Sequence, residues 1–437
     1  MALYNKKENY FQTPQKKQLY TEPVFGTNNY LLEKNLTSLA LFGLWPFQSP
    51  KFLKNQKLRT CHYIFGLSLY CAFFIFLITE YVELFNVWGN LEDMTTNMSV
   101  SCLYTVGIMK IYSLFGKRKT YKDLIFGVSR IETNIALHQS EETKFIMAGY
   151  VRRSRRVTYF FWTLTSCTIL VFFVIPLVEY QPMIFSSWFP FDKYATVNYF
   201  LAYFYQVLMG TVGAAYQAIW DTFIVSMMIH SIGQLQILQY TIENITNVDV
   251  KRNESEFVNS PRKKFKKQED DLRKLEDLKH VRFIDCINHH RYILKYVSNH
   301  RTLFYPIMML YFFVCSLMLC AIGFQASLVS YGFSIRLCFM LEYLCAMMIQ
   351  LFLFYWHGNE VIHESSKVLE STYSCDWYSQ SQRFKKNLWI MREGMRKPIK
   401  YTVGIFYSMS LPTFLAESRY SFEFVFYIGN FLFCKKR

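Results

Sequence analysis

The feature that most limits this chain is a series of apolar runs too long for an ordinary soluble core. A bilayer core of about 30 Å calls for roughly 20 apolar residues per helix. Runs of that order extend from Thr60 to Val82, Met98 to Phe115, Val157 to Val178 and Val197 to Met228. Two more, Leu303 to Val329 and Ile335 to Trp356, are separated by a stretch containing Tyr331, Gly332 and Ser334. A last region, Val403 to Phe433, is interrupted by Pro412, Glu417, Arg419 and Glu423 and is too polar to face lipid all round. The expected fold is an all-α membrane protein with seven transmembrane helices. With 52% hydrophobic and 18% charged residues among 437, the collagen-like, disordered and disulfide-scaffold classes are excluded.

A net charge of +16 would suit a nucleic-acid binder, but its placement argues otherwise. Residues 1–59, 116–156, 232–302 and 357–400 hold 9, 10, 14 and 8 Lys or Arg, which is 41 of the 48. The alternate loops hold almost none: Glu80, Glu83, Glu92 and Asp93 stand without basic residues, and residues 179–196 offer only Lys193. Positive residues stay cytoplasmic, so the N-terminus is expected inside and the C-terminus outside, with Lys435, Lys436 and Arg437 running against the rule. No apolar run occurs in the first 30 residues, so no cleaved signal peptide is expected. The basic excess is therefore topological, and no nucleic-acid partner is expected.

The chain then divides into a cytoplasmic segment 1–59, spans one to four in 60–231, cytoplasmic helices in 232–302, spans five and six in 303–356, a second cytoplasmic helical region 357–400, and a seventh span with the extracellular C-terminus in 401–437. From Asp249 to Asp271 charges mix densely without an apolar repeat, and a disordered insertion is expected. Phe283, Ile287, His290, Leu294 and Val297 fall on one helical stripe, as do Phe384, Leu388, Met391 and Met395. Each is a water-side helix with a face to bury, in its own chain or in a neighbouring subunit.

This orientation is the reverse of a G-protein-coupled receptor. The loop from Glu179 to Thr196 has no Cys for a staple, and neither a DRY box nor an NPxxY is present. Most cysteines lie in spans, where they pack as small apolar groups. Cys286 with His290, and His357, Glu360, His363 with Glu364, complete no HExxH or Cys-x-x-Cys pattern, so no metal, cofactor or catalysis is expected. A secondary transporter is the different-class alternative; it would show inverted repeats between halves, and none is evident.

The most distinctive local pattern is FLFYWHGNEVIHESSKVLESTYSCDWY, Phe352 to Tyr378. It resembles the insect odorant receptor family, in which Gly-Asn-Glu, Glu-Ser and a Tyr…Trp pair follow in this order. LALFGLWPF (Leu39 to Phe47), WFPFD (Trp188 to Asp192), DTFIVSMMIHSIGQLQIL (Asp221 to Leu238), CINHHRYILKYV (Cys286 to Val297) and LPTFLAESRYSFEFVFY (Leu411 to Tyr427) are similar to further family segments in the right order. A gustatory receptor, the near alternative, would carry a TYhhhhhQF signature that is absent here, since Phe414 follows Thr413.

The resemblance implies a multi-pass plasma-membrane subunit of a ligand-gated, non-selective cation channel, a heterotetramer with the family's co-receptor, on olfactory sensory neurons. It implies a pocket for a small volatile ligand in the outer halves of spans two to six. Positions there include Met98, Cys102, Phe172, Phe173, Tyr199, Tyr203, Gln206, Phe324 and Tyr343, aromatics with a polar handle. It implies a pore lined by the seventh span, where Ser421 matches a hydroxyl position and Val425 a hydrophobic gate, with Glu423 departing from the pattern. It also implies an intersubunit anchor, for which Phe283, Ile287, His290, Leu294, Phe384, Leu388 and Met391 are the candidates. Lys110, Asp221 and Glu342 are intramembrane charges and so functional candidates by default.

Overall fold

The computed structural model describes residues 31–45, 55–138, 140–178, 183–192, 195–247, 261–328, 335–403, 407–416, 418–420 and 423. Nine helices carry these residues: α1 (Glu33–Leu41), α2 (Gln56–Asn86), α3 (Leu91–Gly116), α4 (Arg118–His138), α5 (Glu141–Val178), α6 (Thr196–Glu243), α7 (Pro261–Leu328), α8 (Ile335–Ser374) and α9 (Gln382–Met395). A two-stranded antiparallel hairpin, β1 (Thr402–Val403) with β2 (Tyr407–Ser408), is the one departure from all-α among them. Residues 411–416 and 418–420 are again helical.

Four helices among the described residues are long and apolar enough to cross a membrane: Gln56–Asn86, Asp93–Gly116, Val197–Glu243 and Arg273–Leu319. The third expected run forms the second half of α5, and the sixth forms the first half of α8. Several helices are much longer than a bilayer needs. At 1.5 Å per residue the 48 residues of α6 reach about 72 Å and the 68 of α7 about 100 Å. The apolar runs and the helices expected beside them are thus continuous rods that pack together.

The second half of the expected disordered insertion is helical. Residues 261–271 are the first turns of α7, because Pro261 suits a first helical turn and the Lys, Gln, Glu and Leu that follow are good helix formers. The other end of the expected insertion lies outside the described residues. The seventh run also starts later than expected: its first residues form the hairpin, and the helix begins at Leu411, where Pro412 fits a first turn.

α6 is the centre of the bundle and contacts α1, α2, α3, α5, α7 and α8. At its edge, α1 ends at Gly43, whose φ of +71° is left-handed. Its backbone lies against Gly66 of α2 so closely that a Cβ on Gly66 would come 2.3 Å from the Gly43 carbonyl oxygen. The Gly-Leu-Trp segment therefore docks backbone to backbone. Buried Asn35 of α1 donates to Ser226 Oγ of α6 at 2.7 Å, and Ser154 Oγ of α5 donates to the same oxygen at 2.8 Å. Pro306 inside α7 cannot donate to the Thr302 carbonyl. Lys117 Nζ donates to it instead, at 3.2 Å.

Candidate functional site

The bundle is organised around one buried ion pair. Lys110 Nζ of α3 lies 2.7 Å from Asp221 Oδ1 of α6, both side chains being 1% exposed. Lys110 also donates to Gln217 Oε1, one turn before Asp221, and Gln350 of α8 donates to Asp221 Oδ2. Gln217 Nε2 donates in turn to the Leu103 carbonyl at 2.8 Å. The ammonium sits 5.1 Å from the ring centroids of Trp220 and of Tyr311 on α7. Four helices thus meet at a pair whose charges cancel and whose polar atoms are used, the condition under which such a pair survives burial. The sequence singles out Lys110 and Asp221 separately, and the structure joins them. It adds Gln217, Trp220, Tyr311 and Gln350, which sequence reasoning missed. The available signal was one cation and one anion in spans where neither is tolerated alone.

A second polar knot ties the loop between α5 and α6 to α2 and α6. Gln206 of α6 accepts from the backbone N–H groups of Ile184 and Phe185 at 3.2 and 3.3 Å, and donates to the Phe185 carbonyl at 2.8 Å and to Ser187 Oγ at 3.0 Å. Ser187 in turn donates to the Glu80 carboxylate. Two expectations are corrected here. Gln206 is not a free handle for a ligand, since both ends of its amide hold the loop. Glu80 is not a loop residue but a buried member of α2. The knot draws the loop inward, so that the ring of Phe185 lies 5.9 Å from Phe76 and 6.0 Å from Tyr104.

Of the other pocket candidates, Met98 and Cys102 are half-buried one turn apart on α3. Tyr199 and Tyr203 stack at 5.9 Å on α6, and Phe173 is half-buried on α5. The side chains of Phe172, Phe324, Glu342 and Tyr343 lie outside the description. A gap between α7, α8 and the terminal helix, bordered by Cys315, Met347, Leu351 and Ser418, holds about 10 Å³, room for a water rather than a ligand.

The Gly-Asn-Glu and Glu-Ser motifs of α8 divide between two tasks: Gly358, Asn359 and Ser365 hold the segment leading into the terminal helix, and Glu360 and Glu364 tie α8 to α5 and α6. A Cβ on Gly358 would meet Met409 Cβ at 2.7 Å, so the hairpin packs directly on the helix there. Asn359 Oδ1 accepts from the Leu411 N–H at 3.4 Å, and Ser365 Oγ accepts from that of Ile399 at 2.9 Å. Glu364 accepts from Gln239 of α6 at 2.9 Å, and Glu360 takes both guanidinium nitrogens of Arg153 on α5. Tyr401, just ahead of the hairpin, bonds through its hydroxyl with His300 Nδ1 at 2.8 Å and Ser231 Oγ at 3.1 Å.

The anchor candidates divide. Phe283, Phe384, Leu388 and Met391 are buried in the chain's own core, with the rings of Phe283 and Phe384 5.8 Å apart, so they are not free to meet another subunit. Ile287 and His290 are half-buried, and Leu294 is 43% exposed. The buried stripe of α7 runs instead through Phe283, Cys286, His289, Ile293, Tyr296, Val297 and His300. The expected stripe was thus rotated toward the half-buried Ile287 and His290 and the exposed Leu294. His289 is bonded with Gln234 Oε1 at 2.9 Å, and burial pushes the imidazoles of His289 and His300 down to about 3. On α9 the faces left uncovered carry Trp389 and Ile390.

At the terminal helix, Arg419 Nε donates to Glu423 Oε1 at 2.8 Å, one turn apart, with 79% and 48% of the two side chains exposed. Ser421 and Val425 lie outside the described residues.

Comparison with known proteins agrees with this architecture. A family model described as 7tm Odorant receptor matches residues 90–422. Odorant receptor 10 of Aedes albopictus is 24% identical over 355 residues, covering 80% of this chain and 87% of its own. The odorant receptor coreceptor of Anopheles gambiae is 29% identical over 128 residues, 29% of this chain and 27% of its own. The olfactory receptor OR5 of Machilis hrabei superposes with a TM-score of 0.76 at 15% identity, over 92% of this chain and 99% of that one, and has also been solved in complex with eugenol. The family match spans most of the sequence and the fold match nearly all of it: the chain belongs to the insect odorant receptor family, a group of multi-pass membrane receptors and not enzymes.

Proposed function

We propose that the chain is the ligand-binding subunit of an odorant-gated, non-selective cation channel, working as a heterotetramer with the odorant co-receptor in the plasma membrane of olfactory sensory neurons. In this reading seven helices span the bilayer, with the N-terminus cytoplasmic and the C-terminus extracellular. One observation carries it. The terminal helix displays the Arg419–Glu423 pair on the surface of the single chain, within a largely apolar segment. Charges are costly against lipid, so water or other subunits must cover that face, as they do around a shared pore. Val425, four residues after Ser421 in sequence, narrows the closed pore by dewetting in this scheme.

Met98, Cys102, Phe173, Tyr199 and Tyr203 supply apolar and aromatic walls for the ligand. Burying ~300 Å² of apolar ligand surface is worth ~7.5 kcal/mol at 25 cal/mol per Å², enough for micromolar binding without an ion pair. Leu294 of α7 and Trp389 and Ile390 of α9 are among the exposed apolar groups available to a neighbouring subunit.

The test is co-expression with a co-receptor and recording of odour-evoked currents. Substrate-coupled flux without channel currents would overturn the channel reading in favour of a transporter. Val425→Ala is expected to change basal or evoked current, and unaltered currents would remove it from the gate. Tyr203→Ala is expected to shift the ligand response profile.

A further inference from the structure

The first half of α5 ends in a run of arginines beside α8, and the cleft they frame serves none of the roles above. Arg153, Arg156, Val157 and Phe160 line an open space of about 470 Å³. Arg153 forks onto Glu360, and Arg155 bonds Glu33 at 3.0 Å. Arg152 and Arg156 have no ion pair with any described residue. Four guanidinium groups against two carboxylates leave two positive charges unanswered at this rim.

The chemistry changes within one turn. Below the arginines α5 presents Val157 and then Phe160, 50% exposed, and the exposed apolar face continues to Leu170. On α8 Trp356, exposed, lies one turn before Glu360 on the same face. A free anion would use only the rim, and an acidic peptide would leave the apolar wall in contact with it unused. An anionic head joined to an acyl chain satisfies both.

We propose that this cleft binds an anionic phospholipid of the cytoplasmic leaflet, its phosphate on Arg156 and Arg153 and an acyl chain along Val157 and Phe160. Guanidinium groups suit phosphate because they donate in a planar fork. A phosphate that reaches Arg153 shares it with Glu360, so lipid occupancy acts on the tie between α5 and α8. The leaflet rests on the orientation proposed above; the site itself does not.

The test uses the full chain with its co-receptor in nanodiscs of neutral phosphatidylcholine, titrated with phosphatidylinositol and read by native mass spectrometry. Each basic group near a membrane surface is worth about fivefold in affinity, so Arg156→Gln is expected to weaken lipid retention about fivefold. Arg130→Gln, an exposed basic position on α4, is expected to leave it unchanged. Equal retention by wild type and Arg156→Gln would overturn the site. Soluble inositol phosphate competing as tightly as the whole lipid would overturn the acyl-chain contact and with it the membrane source. In excised patches, short-chain phosphatidylinositol is expected to alter evoked current from the cytoplasmic face. An effect from the outer face alone, with nanodisc binding intact, would overturn the leaflet and the orientation while leaving the arginine cleft in place.

Discussion

α2 and α6 both have the length and composition of membrane spans, and they reverse the arrangement found in water-soluble proteins. α2 is the more apolar, with a mean hydropathy of 2.0 over its most apolar 18 residues, yet only 22% of those residues are buried. α6 reaches only 1.3, and 94% of the corresponding residues are buried. Lipid tails surround the apolar side chains of α2 as well as protein would. Gln206, Gln217, Asp221, Thr222 and Ser226 of α6 need hydrogen-bond partners, and inside a bilayer only protein supplies them. The less apolar helix is therefore the inner one.

The largest effect is expected at the pair that fixes α6 in place. Asp221→Ala strands the Lys110 charge, and breaking a buried pair this way costs about 3–5 kcal/mol. Size-exclusion profiles of the tagged full chain should show the single variant aggregated. Combining Lys110→Met with Asp221→Leu should recover most of the monodisperse peak, and a double variant as poor as the single would show that the ions themselves are required.

On α2 the matching change is Ile75→Asp, which puts a carboxylate where the exposed Ile75 faces lipid. A cost of about 2.5–3.5 kcal/mol should appear as lost surface expression, while Ile75→Leu should be silent. Tolerance of the aspartate would mean that this face meets protein or water, and the contrast between the two helices would fail.

Gly66→Ala probes a place where α2 is held by backbone contact. The new Cβ would meet backbone, not a side-chain end that can move aside, and overpacking of this kind costs about 1–3 kcal/mol. Thermal unfolding in detergent is the measurement, with a lowered Tm expected.

The smallest effect is one of pH, on the part of α7 that carries His289 and His300. His289 and His300 are held near 3 against an ordinary value of 6.5. Because the unfolded chain binds the protons first, their neutral burial stabilises fully above 6.5 and loses ground as the pH falls toward 3. Near pH 5.5 the loss is on the order of 1 kcal/mol per histidine. A falling Tm between pH 7.5 and 5.5, reduced in His289→Gln, is the expected record.

Much of the fold was legible because length, apolarity and the placement of Lys and Arg act locally. Among the described residues the six apolar runs up to Trp356 all lie within helices, and the odd polar terminal segment proved to carry an exposed ion pair. The candidate site was less legible, and Gln206 shows why. A glutamine in an outer half reads equally as a ligand handle or as a loop clamp, and only the positions of Ile184, Phe185 and Ser187 decide between them. The stripes near Phe283 and Phe384 had the same ambiguity, since periodicity reports that a face is buried but not which chain buries it.

The sequence by itself determined that this is a helical membrane protein, which of its loops are basic, and which family it resembles. Only the tertiary structure decided which face of each span turns inward and what meets it. Lys110 finds Asp221 across 111 residues, and Arg153 finds Glu360 across 207. The physical reason is that an amphipathic pattern separates oil from water. Where lipid and protein interior are both apolar that pattern falls silent, and the partners of a few polar side chains fix the arrangement instead.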